Sequence, residues 1–214
     1  MEIMQTTKPA VNNKIHIIAV AYNRIGELKV FVQSLLNQSS KNWILTIIHD
    51  GPNQEFDRVM SEYKKIADEQ IKFYSTDIRY NDYGHSLREI GLRSISGDYV
   101  LLTNADNYFI PKAIEYLTLA LNEYEVDVII FDMIHSHERP GGRLLPSYSF
   151  FSTKFERNSI DMGAAIVKRE LAEKAGFRDK TYAGDATYFE DIIRAKDGKE
   201  VIISKIPRVL FVHN

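Results

Sequence analysis

The chain has 214 residues, 27 Lys+Arg against 29 Asp+Glu for a formal charge of −2, and no cysteine. Without cysteine there is no disulfide framework, thiolate metal site, iron–sulfur cluster or thiol nucleophile, and at this length burial of roughly 70% of the unfolded surface makes such staples unnecessary. The near-neutral balance speaks against a nucleic-acid partner, the 44% hydrophobic and 26% charged content is that of a globular domain, and no apolar run approaches the ~18–20 residues of a membrane span.

Residues 1–14 are polar and lack the apolar core of a signal peptide, so they read as a flexible tail before a single domain over 15–214. Ile15 to Ala21 is apolar and rich in β-branched residues, as in a strand buried on both faces. Leu28, Phe31, Val32, Leu35 and Leu36 then follow the spacing of an amphipathic helix ending near Asn37. Ile44 to Ile48 predicts a second buried strand, closed by the turn His49-Asp50-Gly51-Pro52. Phe56, Val59, Met60 and Tyr63 repeat the helical spacing, and Ile71 to Tyr74 reads as a short strand. This β-α-β-α-β order suits right-handed crossovers.

A helix over Ser86 to Ile95 leads to a strand at Tyr99 to Leu102, which the polar run Thr103-Asn104-Ala105-Asp106-Asn107 is expected to end. Pro111 suits the first position of the next helix, whose stripe is Ile114, Leu117 and Leu121, and Val126 to Met133 is the most apolar strand. From His135 to Asn158 the pattern lapses, with Pro140, Gly141, Gly142 and Pro146 spread through a long binding loop. A short strand (Ala164 to Val167), helices at Arg169 to Ala175 and Ala186 to Ala195, and two strands (Val201 to Ser204, Val209 to Val212) finish the chain. The pattern is α/β with a doubly wound sheet, and such sheets bind ligands beyond the carboxyl ends of their strands. The runs Tyr22-Asn23-Arg24, Asp50-Gly51 and Asn104-Ala105-Asp106 should therefore meet in one crevice.

The ordered set of motifs resembles one known family. Ile18 to Arg24, Ser34-Leu35-Leu36-Asn37-Gln38, Asn42-Trp43, Asp50-Gly51, Gly84 to Arg88, Gly97-Asp98-Tyr99, Asn104-Ala105-Asp106, Asp161-Met162-Gly163, Gly176-Phe177-Arg178 and Gly184-Asp185 are similar to the series found in family 2 glycosyltransferases. The resemblance implies the GT-A fold, a mixed doubly wound sheet flanked by helices. Residues 15–107 would then form a nucleotide-binding half and 108–214 an acceptor-binding half. It implies an inverting transfer of a sugar from a nucleoside-diphosphate donor, UDP- or dTDP-linked, to a saccharide or lipid-linked saccharide hydroxyl.

For the site, the resemblance implies that Asp50 reads the base, an acceptor-only carboxylate suiting the imide N–H of uracil or thymine, with Ala21 and Tyr22 beneath it. A plain Asp-Gly turn is the alternative for Asp50, and core packing the alternative for Tyr22. Arg88 would face the diphosphate, or be a solvated helix arginine. Asn104-Ala105-Asp106 stands where the family has its DxD motif, so Asp106 would hold a divalent cation, Mn²⁺ or Mg²⁺, together with His213 near the C-terminus; a helix cap or turn is the alternative for Asp106, and an incidental terminal histidine that for His213. The general base would be Asp185, with Glu190 and Asp191 as alternatives. Asp185 would also be the N-cap of its helix. Gly163 would open an acceptor-side loop by leaving backbone accessible to sugar hydroxyls. His135-Ser136-His137 lacks a third histidine or glutamate at a diagnostic spacing, so the segment from His135 to Asn158, with Arg139, Arg143, Tyr148, Phe150 and Phe151, reads as shaping the acceptor site.

The amide at Asn104 and the glycine at position 184, where the family usually has a glutamate before its base, leave one rival reading, a non-catalytic nucleotide-sugar-binding subunit. The expected setting is the cytoplasm, with no transmembrane span, membrane contact at most peripheral, and a homodimer compatible with the fold.

Overall fold

In the computed structural model residues 13–214 are described, so the tail expected over 1–14 lies outside them except for its last two residues. The strands are β1 (Ile15–Ala21), β2 (Trp43–His49), β3 (Ile71–Ser75), β4 (Tyr99–Asn104), β5 (Tyr108–Phe109), β6 (Val128–His135), β7 (Ser149–Phe151), β8 (Ala165–Lys168) and β9 (Ile203–His213). The helices are α1 (Ile25–Leu36), α2 (Gln54–Ile66), α3 (His85–Leu92), α4 (Ala113–Glu123), α5 (Arg169–Ala175) and α6 (Gly184–Ala195).

One sheet in the order β3-β2-β1-β4-β8-β6-β9-β5 runs through both halves, with β7 added on β6. The β3-β2-β1-β4 part is parallel, β8 is antiparallel to β4 and β6, and β9 runs parallel to β6. The period-2 geometry of a strand explains the unbroken apolar run of β1. Ile15, Ile17, Ala19 and Ala21 face a core made with α1, α2 and α4, while Ile18 and Val20 face a second core made with α3, α5 and α6.

Four details differ from the sequence expectation. Thr103 and Asn104 belong to β4, because the buried Thr103 hydroxyl accepts from Asn107 Nδ2 at 2.9 Å and the Asn104 side chain is bonded too. Pro111 precedes α4 rather than starting it; the helix opens at Ala113 with Lys112 as N-cap, and the Pro111 carbonyl accepts the Ser39 N–H. The two late strands are one, β9, whose register on β6 jumps from Phe131↔Ile206 to Asp132↔Val209. Pro207, which has no N–H to offer a ladder, is thereby put in the irregularity. The segment after β6 is also partly regular, with a 3-10 turn at Pro140–Gly142 and β7 paired to β6.

Candidate functional site

The carboxyl ends of β1, β2 and β4 open on a cavity of about 360 Å³. Its lining includes six of the residues expected to bind nucleotide sugar: Ala21, Tyr22, Asp50, Asn104, Ala105 and Asp106. The two loops that frame it hold unusual backbone. After β1, Asn23 and Arg24 take left-handed φ values of 53° and 48°; between β3 and α3, Asn81, Tyr83 and Gly84 take 55°, 61° and 80°. Such conformations cost a non-glycine residue free energy and persist where the surroundings fix them. His49 fixes the first loop, its Nε2 accepting the Asn23 N–H at 3.2 Å while Nδ1–H donates to the Gly51 carbonyl at 2.7 Å.

Asp50 fixes the second. Its buried carboxylate accepts the N–H groups of Tyr80 at 2.7 Å and Asn81 at 3.0 Å, which sets Arg79, Asn81 and Tyr83 against the cavity. Sequence reasoning missed these three, since they sit in a loop without periodicity; the cluster Tyr80-Asn81-Asp82-Tyr83-Gly84 was the available signal. Tyr22 is not core: it is 43% exposed, and the Arg79 guanidinium lies 3.9 Å from its ring centroid.

Arg88 is neither solvated nor in the cavity wall. It is buried behind Asn104, donating through Nη2 to Asn104 Oδ1 at 2.6 Å and through Nη1 to the Tyr83 carbonyl at 2.9 Å. The amide that replaces the first acid of the DxD pattern is thus tied to an arginine. Asp106 is split: Oδ2 accepts from Arg24 Nη1 at 2.7 Å, while Oδ1 is buried without a partner. Burial raises its pKa, and the charges of Arg24 and His213 act against that rise.

Asp185 is not in the cavity lining and stands instead against His85, the first residue of α3. It is in the first turn of α6, whose N-cap is Ala183, so the capping role is not its own. Its Oδ1 is buried and unpartnered, 3.7 Å from His85 Nδ1. Burial raises the carboxyl pKa, which makes it a stronger base than an exposed aspartate. The alternatives are engaged elsewhere: Asp191 accepts from Arg178 at 2.6 and 3.2 Å and from Arg194 at 2.5 Å, and Glu190 from Arg157 at 2.8 Å. Gly184 has a steric cause. A Cβ there would lie 2.6 Å from both His85 Nε2 and the Asp179 carbonyl, so His85 fills the space a glutamate side chain would need. His85 itself is buried, held neutral with a pKa of about 4 by burial and Arg88, and donates through Nε2–H to the Thr181 carbonyl at 3.0 Å.

Asp161 caps the 3-10 turn Met162–Ala164, with Oδ1 accepting the Gly163 N–H at 2.9 Å and Oδ2 3.3 Å from His213 Nε2. Gly163 answers a packing need: a Cβ would meet the Phe211 ring at 2.9 Å and Thr103 Oγ1 at 3.2 Å, so the space is filled by protein. His213 is brought to this end by β9, and the next residue, Asn214, bonds the Asp106 carbonyl and the Asn107 side chain. The donor set suits a hard divalent cation: Asp106 Oδ1 and His213 Nδ1 are both buried without partners.

The chain as a whole has relatives among known proteins. The pattern of Glycosyl transferase family 2 matches residues 16–175, three quarters of the chain. The chain belongs to that family. The chain spans only a part, under a fifth, of the length of relatives such as the one that follows. It is 24% identical over 131 residues, 61% of its length, to Glycosyltransferase GlyA of Streptococcus pneumoniae, and the match takes in 18% of that longer protein. S. aureus TarS 1-349 in complex with UDP-GlcNAc has the same fold, with a TM-score of 0.74 at 15% identity over 94% of this chain and 58% of that one. The mannosyltransferase PcManGT from Pyrobaculum calidifontis, in complex with GDP-Man and Mn2+, follows at 0.66 and 12% identity, over 94% of this chain and 56% of that one. No helix among the described residues is long and apolar enough to cross a membrane.

Proposed function

We propose that the chain transfers a sugar, with inversion, from a UDP- or dTDP-linked donor to a hydroxyl of a saccharide or lipid-linked saccharide in the cytoplasm. One observation carries the reading: a cavity of about 360 Å³ opens at the strand ends with Gly84 in its lining, and against the next residue, His85, stands Asp185, with a partner-free oxygen 3.7 Å from the His85 ring and a raised pKa.

In this reading Ala21 and Ala105 form a floor without side-chain bulk, and Tyr22 offers a ring to the base. Asp50 is held rigid by Tyr80 and Asn81, and its remaining lone pairs take the imide N–H that purines present differently. Asn104 and the buried charge of Arg88 stand behind the diphosphate. A divalent cation, Mn²⁺ or Mg²⁺, bound by Asp106 and His213 supplies neutralisation of the leaving diphosphate's charge. Asp185 takes the proton of the acceptor hydroxyl as its oxygen bonds the anomeric carbon. The bond from that carbon to the diphosphate oxygen breaks, the electron pair leaving with the nucleotide. Attack opposite the leaving group inverts the centre, and a positioned base contributes about 10²–10⁴ in rate. The exposed rings of Tyr148 and Phe150 mark the acceptor side, while Gly163, packed against Phe211, lets its turn close. The UDP-GlcNAc complex of the TarS structure supports the donor class.

The test is calorimetric titration with UDP, dTDP, GDP and ADP in Mn²⁺, paired with turnover of the matching sugar donors. Pyrimidine nucleotides should bind at least about tenfold tighter than purine ones, with about 1.4 kcal/mol per tenfold. Equal affinities contradict the base reading, and tight binding without any turnover favours the non-catalytic rival.

A further inference from the structure

Three histidines meet where β6 and β9 end. The parallel register sets His135 opposite His213, and His137 lies two residues beyond the end of β6. The ring centroids of His135 and His213 are 5.0 Å apart, those of His137 and His213 5.4 Å, and those of His135 and His137 5.4 Å. One ring nitrogen from each lies within 4.8 Å of the other two. An ion about 2.1 Å from each nitrogen in tetrahedral geometry needs them about 3.4 Å apart, so a modest closing of the rings makes the site.

We propose that His135, His137 and His213 bind a transition-metal ion of the imidazole-preferring kind, with Zn²⁺ as the type, at a site that shares only His213 with the oxygen-rich one of Asp106. His135 supplies the second, independent observation. It is 95% buried, yet neither ring nitrogen has a hydrogen-bond partner, and the buried Nδ1 of His213 also lacks one. Buried polar atoms are nearly always paired, so a cluster of orphan imidazole nitrogens is a ligand set without its ligand.

The surroundings fit the same purpose. Asp161 Oδ2 lies 3.3 Å from His213 Nε2 and would orient that ring, as carboxylates do for metal-bound histidines. His137 is exposed and gives the ion a way in. Imidazole ligands favour Zn²⁺, Co²⁺ or Ni²⁺ over Mg²⁺, which requires oxygen. An ion here would also tie the start of the segment carrying Tyr148 and Phe150 to β9. His213 is common to both sites and its free nitrogen is Nδ1, since Asp161 faces Nε2, so an ion on the three histidines and one on Asp106 exclude each other.

The experiment is a Co²⁺ titration of the untagged, chelator-stripped full chain, read by visible absorption and repeated in millimolar Mg²⁺. One equivalent should bind with the d–d bands of a low-coordinate imidazole site, Zn²⁺ should bleach them, and Mg²⁺ should leave them intact. His137→Gln, a change at an exposed residue, should weaken binding by at least about tenfold, the scale on which even the surroundings of metal ligands act, and His135→Gln should abolish it. Asp106→Asn should keep the bands. Absence of bands at one equivalent, an unchanged affinity in His137→Gln, or loss of the signal in Asp106→Asn would each overturn the assignment. None of these results bears on UDP binding, which is measured separately.

Discussion

The two sides of the crevice treat their polar groups differently. On the donor side the protein bonds to itself: Asp50 to the Tyr80 and Asn81 N–H groups, Asn104 to Arg88, and one oxygen of Asp106 to Arg24. On the acceptor side Asp185 Oδ1, both nitrogens of His135 and Nδ1 of His213 are buried with no partner. A buried polar group without a partner costs about 1–3 kcal/mol; the proposed donor side bears that cost at Arg88 Nε and Asp82 Oδ1, and the other side bears it at carboxylate and imidazole atoms able to take a proton or an ion. In the proposed function the donor side is a preset mould for a ligand of fixed shape, and the acceptor side keeps atoms free for protons and ions. Asp106, with one oxygen paired and one free, stands on the border.

The largest effect that can break this contrast is on rate. Asp185→Asn should lower transfer about 10²–10⁴-fold while UDP affinity, measured by calorimetry, changes less than twofold. The melting temperature should not fall, because the substitution removes a charge whose raised pKa marks it as costly to the folded state above the ordinary carboxylate pKa. On the paired side the effect is stability. Arg88→Met leaves the Tyr83 carbonyl and Asn104 Oδ1 without their donor and should cost about 2–4 kcal/mol by chemical denaturation. At the border, Arg24→Gln frees the second oxygen of Asp106, and the Mn²⁺-dependent part of donor affinity should rise by up to about fivefold, as expected for an ion pair whose arginine is mostly exposed. The smallest effect is Arg79→Ala, which uncovers the Tyr22 ring; UDP affinity should shift by about fivefold or less.

Much of the fold was legible because strands buried on both faces and amphipathic helices have distinct periods. β1, α1, β2, α2 and α5 lie within a residue or two of where Ile15–Ala21, the Leu28 stripe and the later runs put them. What escaped depends on contacts distant in sequence. β5 and β7 are two and three residues long and exist through pairing with β9 and β6. β9 was divided by Pro207, whose tolerance depends on the bulge opposite Phe131 and Asp132. The same holds for the site. The crevice residues after β1, β2 and β4 followed from the rule for strand ends. Burial of Arg88 and the meeting of Gly184 with His85 required packing. The third histidine for His135 and His137 was invisible to spacing, because His213 is 78 residues from His135 and arrives only through the β6–β9 register.

The most direct test of the account is the pH dependence of donor turnover, measured for the chain and for Asp185→Asn with a UDP-sugar and Mn²⁺. Burial raises the Asp185 pKa, and protonation removes the base, so activity should fall as the pH drops through a value above the ordinary range of an aspartate, about 3.9. The variant should be uniformly slow with no such limb. An acid limb that survives in Asp185→Asn, or a variant that keeps the parent's rate, would contradict the claim that the unpaired carboxylate of α6 is the base.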